Sequence, residues 1–376
     1  MSNDTVQSAK TPGRFGRLYQ GLTTIDFVGR RRTWFMISIV VIVIGLGSLG
    51  IRGFNLGIDF KGGSSWEVQA SHTTIGAVTS AVQAAGLNQP TVEKLGSKTY
   101  QVTADLNSLS IDRQNAVTTA VVNAMAKLAH ANPNVVSTSN VGPTWGGQIT
   151  KRALEALIVF FIAVVAYISM RFEPKMALAA FIAMVHDLLV TVGIFSLFGF
   201  QITPDTVIAL LTILGYSLYD TVVVFDRVRD NTGGVLKAGD MSYGEMVNLS
   251  MNQTLARSIN TSLVAIMPTL SVLIVGAYIL GATTLQNYGL ALVVGLFSGA
   301  YSSIFIASPL LASFKEREPR FRELAERVAA KTDRRVVSPA AAAAMLGAEG
   351  PQRSSRSTTR AAGSPVQARP RKQKRR

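Results

Sequence analysis

Six long apolar runs constrain what this chain can fold into. They cover about residues 34–49, 153–170, 176–200, 203–225, 261–280 and 285–314. A bilayer core takes ~20 apolar residues as a helix. In hydrocarbon every backbone N–H and C=O must be satisfied within the protein, which a helix does by itself. The runs therefore predict a polytopic α-helical membrane protein with six transmembrane helices. Only 16% of residues are charged and 48% are hydrophobic, against about 25% charged in an average soluble protein. There are no cysteines, which excludes disulfides, thiolate zinc sites and cysteine nucleophiles.

Basic residues orient the spans. Arg14, Arg17 and Arg30–Arg32 precede the first; Arg171 and Lys175 fill the second-to-third turn; Arg227, Arg229, Lys237 and Arg257 fill the fourth-to-fifth loop. The third-to-fourth and fifth-to-sixth turns carry no Lys or Arg. The positive-inside rule then predicts a cell-membrane protein with both termini cytoplasmic. No small-residue cleavage site follows the first run, so it reads as a retained helix. The expected parts are a cytoplasmic segment 1–33, a first span 34–50, an external domain 51–150, a helix bundle 153–314 and a basic, largely disordered tail 315–376 that opens with helix-compatible residues 321–330. From Lys315 to Arg376 there are 17 Lys/Arg against 6 Asp/Glu. Beside a membrane such a tail contacts anionic lipid or the ribosome, or stays solvated. No folded nucleic-acid-binding module accompanies it, so nucleic acid is not an expected partner.

Between the first two spans the periodicity changes. Residues 64–70 alternate as a strand. Residues 74–85 have helical spacing, with Ile75, Val78, Val82 and Ala85 on one face. Residues 91–95 and 99–103 read as strands joined at Gly96-Ser97. Residues 111–128 form a second helix with Ile111, Val117 and Val121 apolar, and 134–141 a last strand. The order β-α-β-β-α-β predicts an extracytoplasmic α+β domain of ferredoxin-like (βαββαβ) topology.

Few polar residues interrupt the spans. Asp220 stands well inside the fourth, where an ionised carboxylate costs at least ~2.5–3.5 kcal/mol even on lenient insertion scales. No Lys or Arg lies within four residues of it. Such an acid carries protons, binds an ion or pairs with a buried cation; the alternative is a polar clamp between helices. Ser217 and Tyr219 lie beside it. If the fifth span packs against the fourth, Arg257 approaches Asp220; otherwise it anchors the helix at the interface. Asp226 and Arg227 read as an ion pair closing the fourth helix. His186 and Asp187, mid-way along the third run, read as an interhelical hydrogen-bonding pair. Gly289, Gly295 and Gly299 predict close packing in the sixth. After the first span, Gly57, Asp59, Phe60 and the pair Gly62-Gly63 outline a turn, with Asp59 placed to cap it or to steady the domain–membrane junction. No HExxH, GxSxG or Walker motif occurs, so neither metal, cofactor nor catalytic nucleophile is expected.

Two strings carry a resemblance: FNLGIDFKGG (54–63) after the first span and GYSLYDTVVVFDRVRDN (215–231) in the fourth. They resemble the two signatures of the SecF branch of the SecD/SecF protein-export family, within the resistance-nodulation-division architecture. The likeness covers about residues 30–315. It implies no enzyme activity but an auxiliary subunit of the Sec translocase, working with SecD beside the SecYEG channel, with YajC and SecA, on unfolded preproteins. It implies that proton-motive force drives the work. Asp220 takes the place of the family's membrane aspartate and Arg257, in TLARSINTS, that of its arginine. Gly57, Asp59, Phe60, Gly62 and Gly63 match the first signature. Tyr219 stands where many members have Asn. The basic tail is similar to extensions in high-GC Gram-positive members. A small-molecule or lipid exporter of the same architecture, an intramembrane aspartyl protease and a non-conducting scaffold for SecD are the alternatives; the six-span length and the first signature oppose the first, and the missing Gly-x-Gly-Asp the second.

Overall fold

The computed structural model describes Leu18 and residues 23–330. Within them, six helices are long and apolar enough to cross a membrane: Arg31–Arg52, Thr144–Arg171, Pro174–Phe198, Pro204–Gly234, Tyr243–Ile279 and Leu285–Lys315. Most exceed the apolar run that nucleates them, because turns of polar residues continue the backbone ladder past the hydrocarbon. The fourth is the clearest case. Asp226 and Arg227 do not close it; the helix runs on to Ala238. The sixth span packs against the third, fourth and fifth, and the first lies along the third. Small residues permit this. A Cβ on Gly45 of the first span would stand 2.7 Å from Gly193 Cα of the third, and one on Gly299 2.9 Å from Ser217 Cβ of the fourth. Ala179, Ala180 and Ala183 are buried in the third. Without a water-driven force between helices, such close contact supplies the association energy.

Between the first two spans lies a four-stranded antiparallel sheet of order β2-β3-β1-β4, with β1 Gly63–Gln69, β2 Thr91–Leu95, β3 Thr99–Ala104 and β4 Ser137–Val141. Helices α1 (Ile75–Ala84) and α2 (Ile111–Leu128) join them. Thr74 caps α1, its hydroxyl accepting from the Ala77 amide at 3.3 Å. Trp66, Val68, Tyr100 and Val102 from the sheet bury against Val78, Val82, Val117, Val121 and Met125 from the helices. The last strand is shorter than its sequence pattern: Pro133–Val135 form a 3-10 turn, because proline removes a ladder donor. Ile75 and Ile111 are exposed, not core. Both open their helices, and Ile111 lies ~120° around the axis from Val117.

The domain rests on both turns that lack basic residues. Gly57 N donates to Ile202 O at 2.9 Å and Ile202 N to Asn55 O at 2.8 Å. Asn55 Nδ2 donates to Glu93 Oε1 of β2 at 2.7 Å. Burial pushes the Glu93 carboxyl above its ordinary value, and the Asn55 bond offsets part of that. At the second seat Gly96, in the β2–β3 turn at φ +61°, donates its N–H to Gln286 Oε1 at 2.6 Å. Ser97 Oγ donates to Tyr278 O at 3.1 Å. The paired Gly62 and Gly63 have φ of +77° and +125°, and a Cβ on Gly63 would lie 2.9 Å from Ala104 O.

The opposite end carries the basic loops. Residues 23–28 bind the fifth span through Asn248 and Asn252: the Phe27 N–H donates to Asn248 Oδ1 at 2.8 Å and the Ile25 N–H to Asn252 Oδ1 at 3.0 Å. Order persists beyond 315: Lys315 is buried and pairs with Glu173 and Glu318. Helix α3 (Pro319–Ala330) packs Phe321, Leu324 and Val328 into the core. An apolar stripe at helical spacing explains it, in line with the helix-compatible residues 321–330 that open the expected tail. The remainder of the expected tail, 331–376, lies outside the described residues.

Candidate functional site

Asp220 projects from the fourth span toward the fifth and is 7% exposed. Its Oδ1 accepts from Thr261 Oγ1 at 2.8 Å and its Oδ2 from Ser262 Oγ at 3.1 Å. Thr261 and Ser262 belong to a polar shoulder (258–262) that starts the apolar stretch of the fifth span. Arg257 is not its partner. It lies one turn before Thr261, exposed, and forms no ion pair among the described residues. Two short hydroxyls reach Asp220 where the sequence suggested a guanidinium.

The carboxylate forms part of the wall of a cavity of about 560 Å³. Tyr216, Tyr219, Ser217, Asn260 and Tyr288 also line it. Tyr216 and Tyr219 are half-exposed, and Leu292 and Leu296 make much of the rest of the wall apolar. Pro268, which also lines this cavity, lies inside the α-helix of the fifth span, and Val272–Ile279 beyond it are wound as π-helix. A second π stretch, Ser303–Ala307, lies in the sixth.

The Asp226–Arg227 pair does not form. Asp226 meets Arg171 at 3.2 Å and Arg229 at 3.0 Å. Arg227 Nε donates to Gln253 Oε1 at 2.6 Å. An i,i+1 pair faces different sides of a helix, whereas i,i+3 neighbours meet. These contacts bind the second, fourth and fifth spans beyond the apolar belt. Asp59 does not cap its turn with its side chain; Gly57 is the N-cap. Burial raises the Asp59 carboxyl, the nearby Asp205 charge raises it further, and its own backbone amide draws it down.

His186 and Asp187 are bonded to each other, Nδ1 to Oδ1 at 3.1 Å, but Asp187 does more than pair. It is 1% exposed and accepts from three hydroxyls on two other spans. Ser217 Oγ of the fourth donates at 2.5 Å, and Ser298 and Ser302 of the sixth at 2.8 and 2.7 Å. His186 Nε2 meets Ser38 Oγ of the first span at 3.1 Å. Ser298 and Ser302, four residues apart, were the legible signal; their spacing places both hydroxyls on one face. Among the described residues, no group of three or more His, Cys, Asp or Glu side chains is placed to hold a metal ion.

Comparison with known proteins adds the family. The family model for the C-terminal part of the protein export membrane proteins SecD/SecF matches residues 121–317, and that for the SecD/SecF GG motif matches 47–74. The protein translocase subunit SecF of Streptomyces coelicolor is 42% identical over 317 residues, 84% of this chain and 83% of that protein. SecF of Mycobacterium tuberculosis is 40% identical over 334 residues, covering 87% and 75%. The crystal structure of SecDF, a translocon-associated membrane protein from Thermus thermophilus, superposes with a TM-score of 0.69 at 29% identity. That match spans 79% of this chain and only 39% of the solved one, so the chain corresponds to about two fifths of a SecDF polypeptide. Six membrane helices, a βαββαβ domain seated on two turns, a glycine-paired signature and a carboxylate buried in the fourth span thus come with extended sequence identity: the chain belongs to the SecD/SecF family of protein-export membrane proteins, on its SecF side.

Proposed function

We propose that the chain is the proton-coupled half of an auxiliary Sec translocase unit, completed by SecD, in the cell membrane with both termini cytoplasmic. The observation that carries this reading is Asp220: a carboxylate buried within a span, held by two hydroxyls and facing a cavity. The basic loops support the orientation. The half-exposed Tyr216 and Tyr219 and the exposed Arg257 support a protein partner over lipid, since polar groups at membrane depth face protein or water. In this reading the exposed Arg257 takes a carboxylate from SecD.

Charge-assisted hydrogen bonds are roughly twice as strong as neutral ones. Ionised Asp220 therefore clamps the fourth span to Thr261 and Ser262, and a proton from the cavity weakens the clamp. The fifth span is then free to shift. Its π-helical end carries Tyr278, which lies under Ser97 of the external domain. Motion of that end tilts the domain, which draws on unfolded preprotein emerging from the SecYEG channel, beside YajC and SecA. Weak, sequence-tolerant strand addition or apolar contact suits such a client. The scaffold reading is the alternative, with Asp220 only fastening helices. In membranes retaining the SecD complex, Asp220→Asn is expected to abolish proton-motive-force-stimulated export without loss of assembly. Export at the wild-type level would favour the scaffold, and a missing complex the clamp.

A further inference from the structure

The polar cluster around Asp187 does not belong to the Asp220 clamp, yet it touches the same cavity. Ser217 lines that cavity and donates to Asp187 Oδ2. On the other side, His186, Ser38, Ser298 and Tyr301 border a separate cavity of about 390 Å³ between the first, third and sixth spans, lined otherwise by Val, Ile and Phe side chains. His186 connects to Asp187 through Nδ1 and to Ser38 through Nε2. Ser38 reaches the Tyr301 hydroxyl at 3.4 Å, and that hydroxyl donates to Trp34 O at 3.0 Å. Tyr301 also stacks on the imidazole, 6.1 Å between centroids. A run of exchangeable hydrogens thus crosses the bundle from the Asp220 cavity to the first span.

A structural explanation accounts for less of this. A buried carboxylate needs donors, and the three serines supply them. They do not require a histidine on Oδ1 as well, nor its second nitrogen bonded to a hydroxyl of the first span. The titratable groups facing Asp187 are few. His186 is its ion-pair partner; the first, fourth and sixth spans bring hydroxyls. Among the described residues no Lys or Arg pairs with it.

We propose that His186 and Asp187 form a second proton-exchanging pair, a relay delivering protons across the bundle to the Asp220 cavity through the Ser217 hydroxyl. This rests on the proton-coupled reading of Asp220. In the tautomer with hydrogen on Nδ1, His186 donates to Asp187 and its Nε2 accepts. A proton arriving at Nε2 through the Ser38 hydroxyl makes imidazolium, which releases its Nδ1 proton to Asp187. The resulting carboxylic acid turns its hydrogen from Oδ1 toward Ser217, whose hydroxyl rotates away from Oδ2 to accept it while giving its own proton to water in the first cavity. Asp187 returns to carboxylate, and one proton has entered and one has left; the imidazole now holds its hydrogen on Nε2, and a flip of the ring restores the Nδ1 tautomer before the next transfer.

The test uses the intact complex with SecD in proteoliposomes carrying an internal pH-sensitive dye, with proton influx followed after a pH jump. Asp187→Asn keeps the shape of the side chain but carries no proton; His186→Gln keeps hydrogen-bonding reach but does not titrate. Both are expected to lower influx at least ~10-fold in assembled complex, and His186→Gln to flatten its dependence on outside pH. Ser217→Ala is expected to give an intermediate loss. Wild-type influx with an unchanged pH profile in His186→Gln overturns the relay, even if Asp187→Asn fails to assemble. If Asp220→Asn blocks influx while Asp187→Asn and His186→Gln do not, the relay falls and the Asp220 reading stands. If Asp187→Asn and His186→Gln block it and Asp220→Asn does not, the relay stands as the path and the Asp220 reading falls.

Discussion

At the residue scale the decisive fact is the size of the groups that meet Asp220. Hydroxyls from Thr261 and Ser262 reach it at 2.8 and 3.1 Å, while Arg257 stays outside. A hydrogen bond to a charged group contributes about 1.5–3 kcal/mol. Losing both donors leaves a buried carboxylate without them, and every ~1.4 kcal/mol is a factor of ten in an equilibrium. The double substitution Thr261→Val with Ser262→Ala is therefore expected to cut proton-motive-force-stimulated export at least ~10-fold, whereas Thr261→Ser retains it; export of a reporter preprotein into membrane vesicles measures both. Unaltered export by the double variant would mean that the hydroxyls are bystanders. Arg257→Ala is expected to reduce export without changing the fold of the isolated chain, because it makes no ion pair among the described residues.

Among the elements, the two seats of the domain matter most. Gly96 has a positive φ of +61°, and a Cβ there would stand 2.9 Å from Ala277 O, so no side chain fits. Gly96→Val is expected to lift the β2–β3 turn from the fifth span and uncouple export, while circular dichroism of the domain stays unchanged; hydrogen exchange at 96–99 rises if the seat opens. Between the first and third spans, Gly193→Leu meets Gly45 Cα head on. Overpacking typically costs about 1–3 kcal/mol, and a fall in melting temperature in detergent checks it. Much of this architecture was readable in the sequence. Apolar run length located six helices, and alternation against helical spacing located four strands and two helices. The paired Gly62-Gly63 marked a turn that only glycine adopts. Helix ends were less legible, since polar turns such as 226–238 continue a ladder that hydropathy cannot see. Asp220 stood out because a lone acid in an apolar run is costly. Its hydroxyl partners, and the serines around Asp187, were harder to see. Their meeting depends on how four helices rotate about their axes, and no single run of sequence contains that rotation.

For the whole molecule, the bundle is fastened at both ends and polar within. At the end with the basic loops, burial pushes the Glu318 carboxyl up, but hydrogen bonds and charge from Lys315 and Lys175 outweigh it and hold it below its ordinary value. A carboxyl lowered by folding stabilises the native state above its unfolded pKa, and that contribution is lost as pH falls through the folded one. The melting temperature of the chain in detergent is expected to drop below pH ~4.5, with a shallower drop in Glu318→Gln; equal slopes would detach α3 from this pairing. At the other end the domain lies on both turns, so a helix shift has a route out of the membrane. Everything in the coupling depends on Asp220 taking up and losing a proton. Infrared difference spectra of the assembled complex with SecD, recorded across a pH step, read the carboxylic C=O stretch of such a group. A protonated-carboxyl band that appears at low pH, disappears at high pH and is missing in Asp220→Asn is the expected result. A spectrum in which the wild type and Asp220→Asn show the same carboxyl bands at every pH would contradict it.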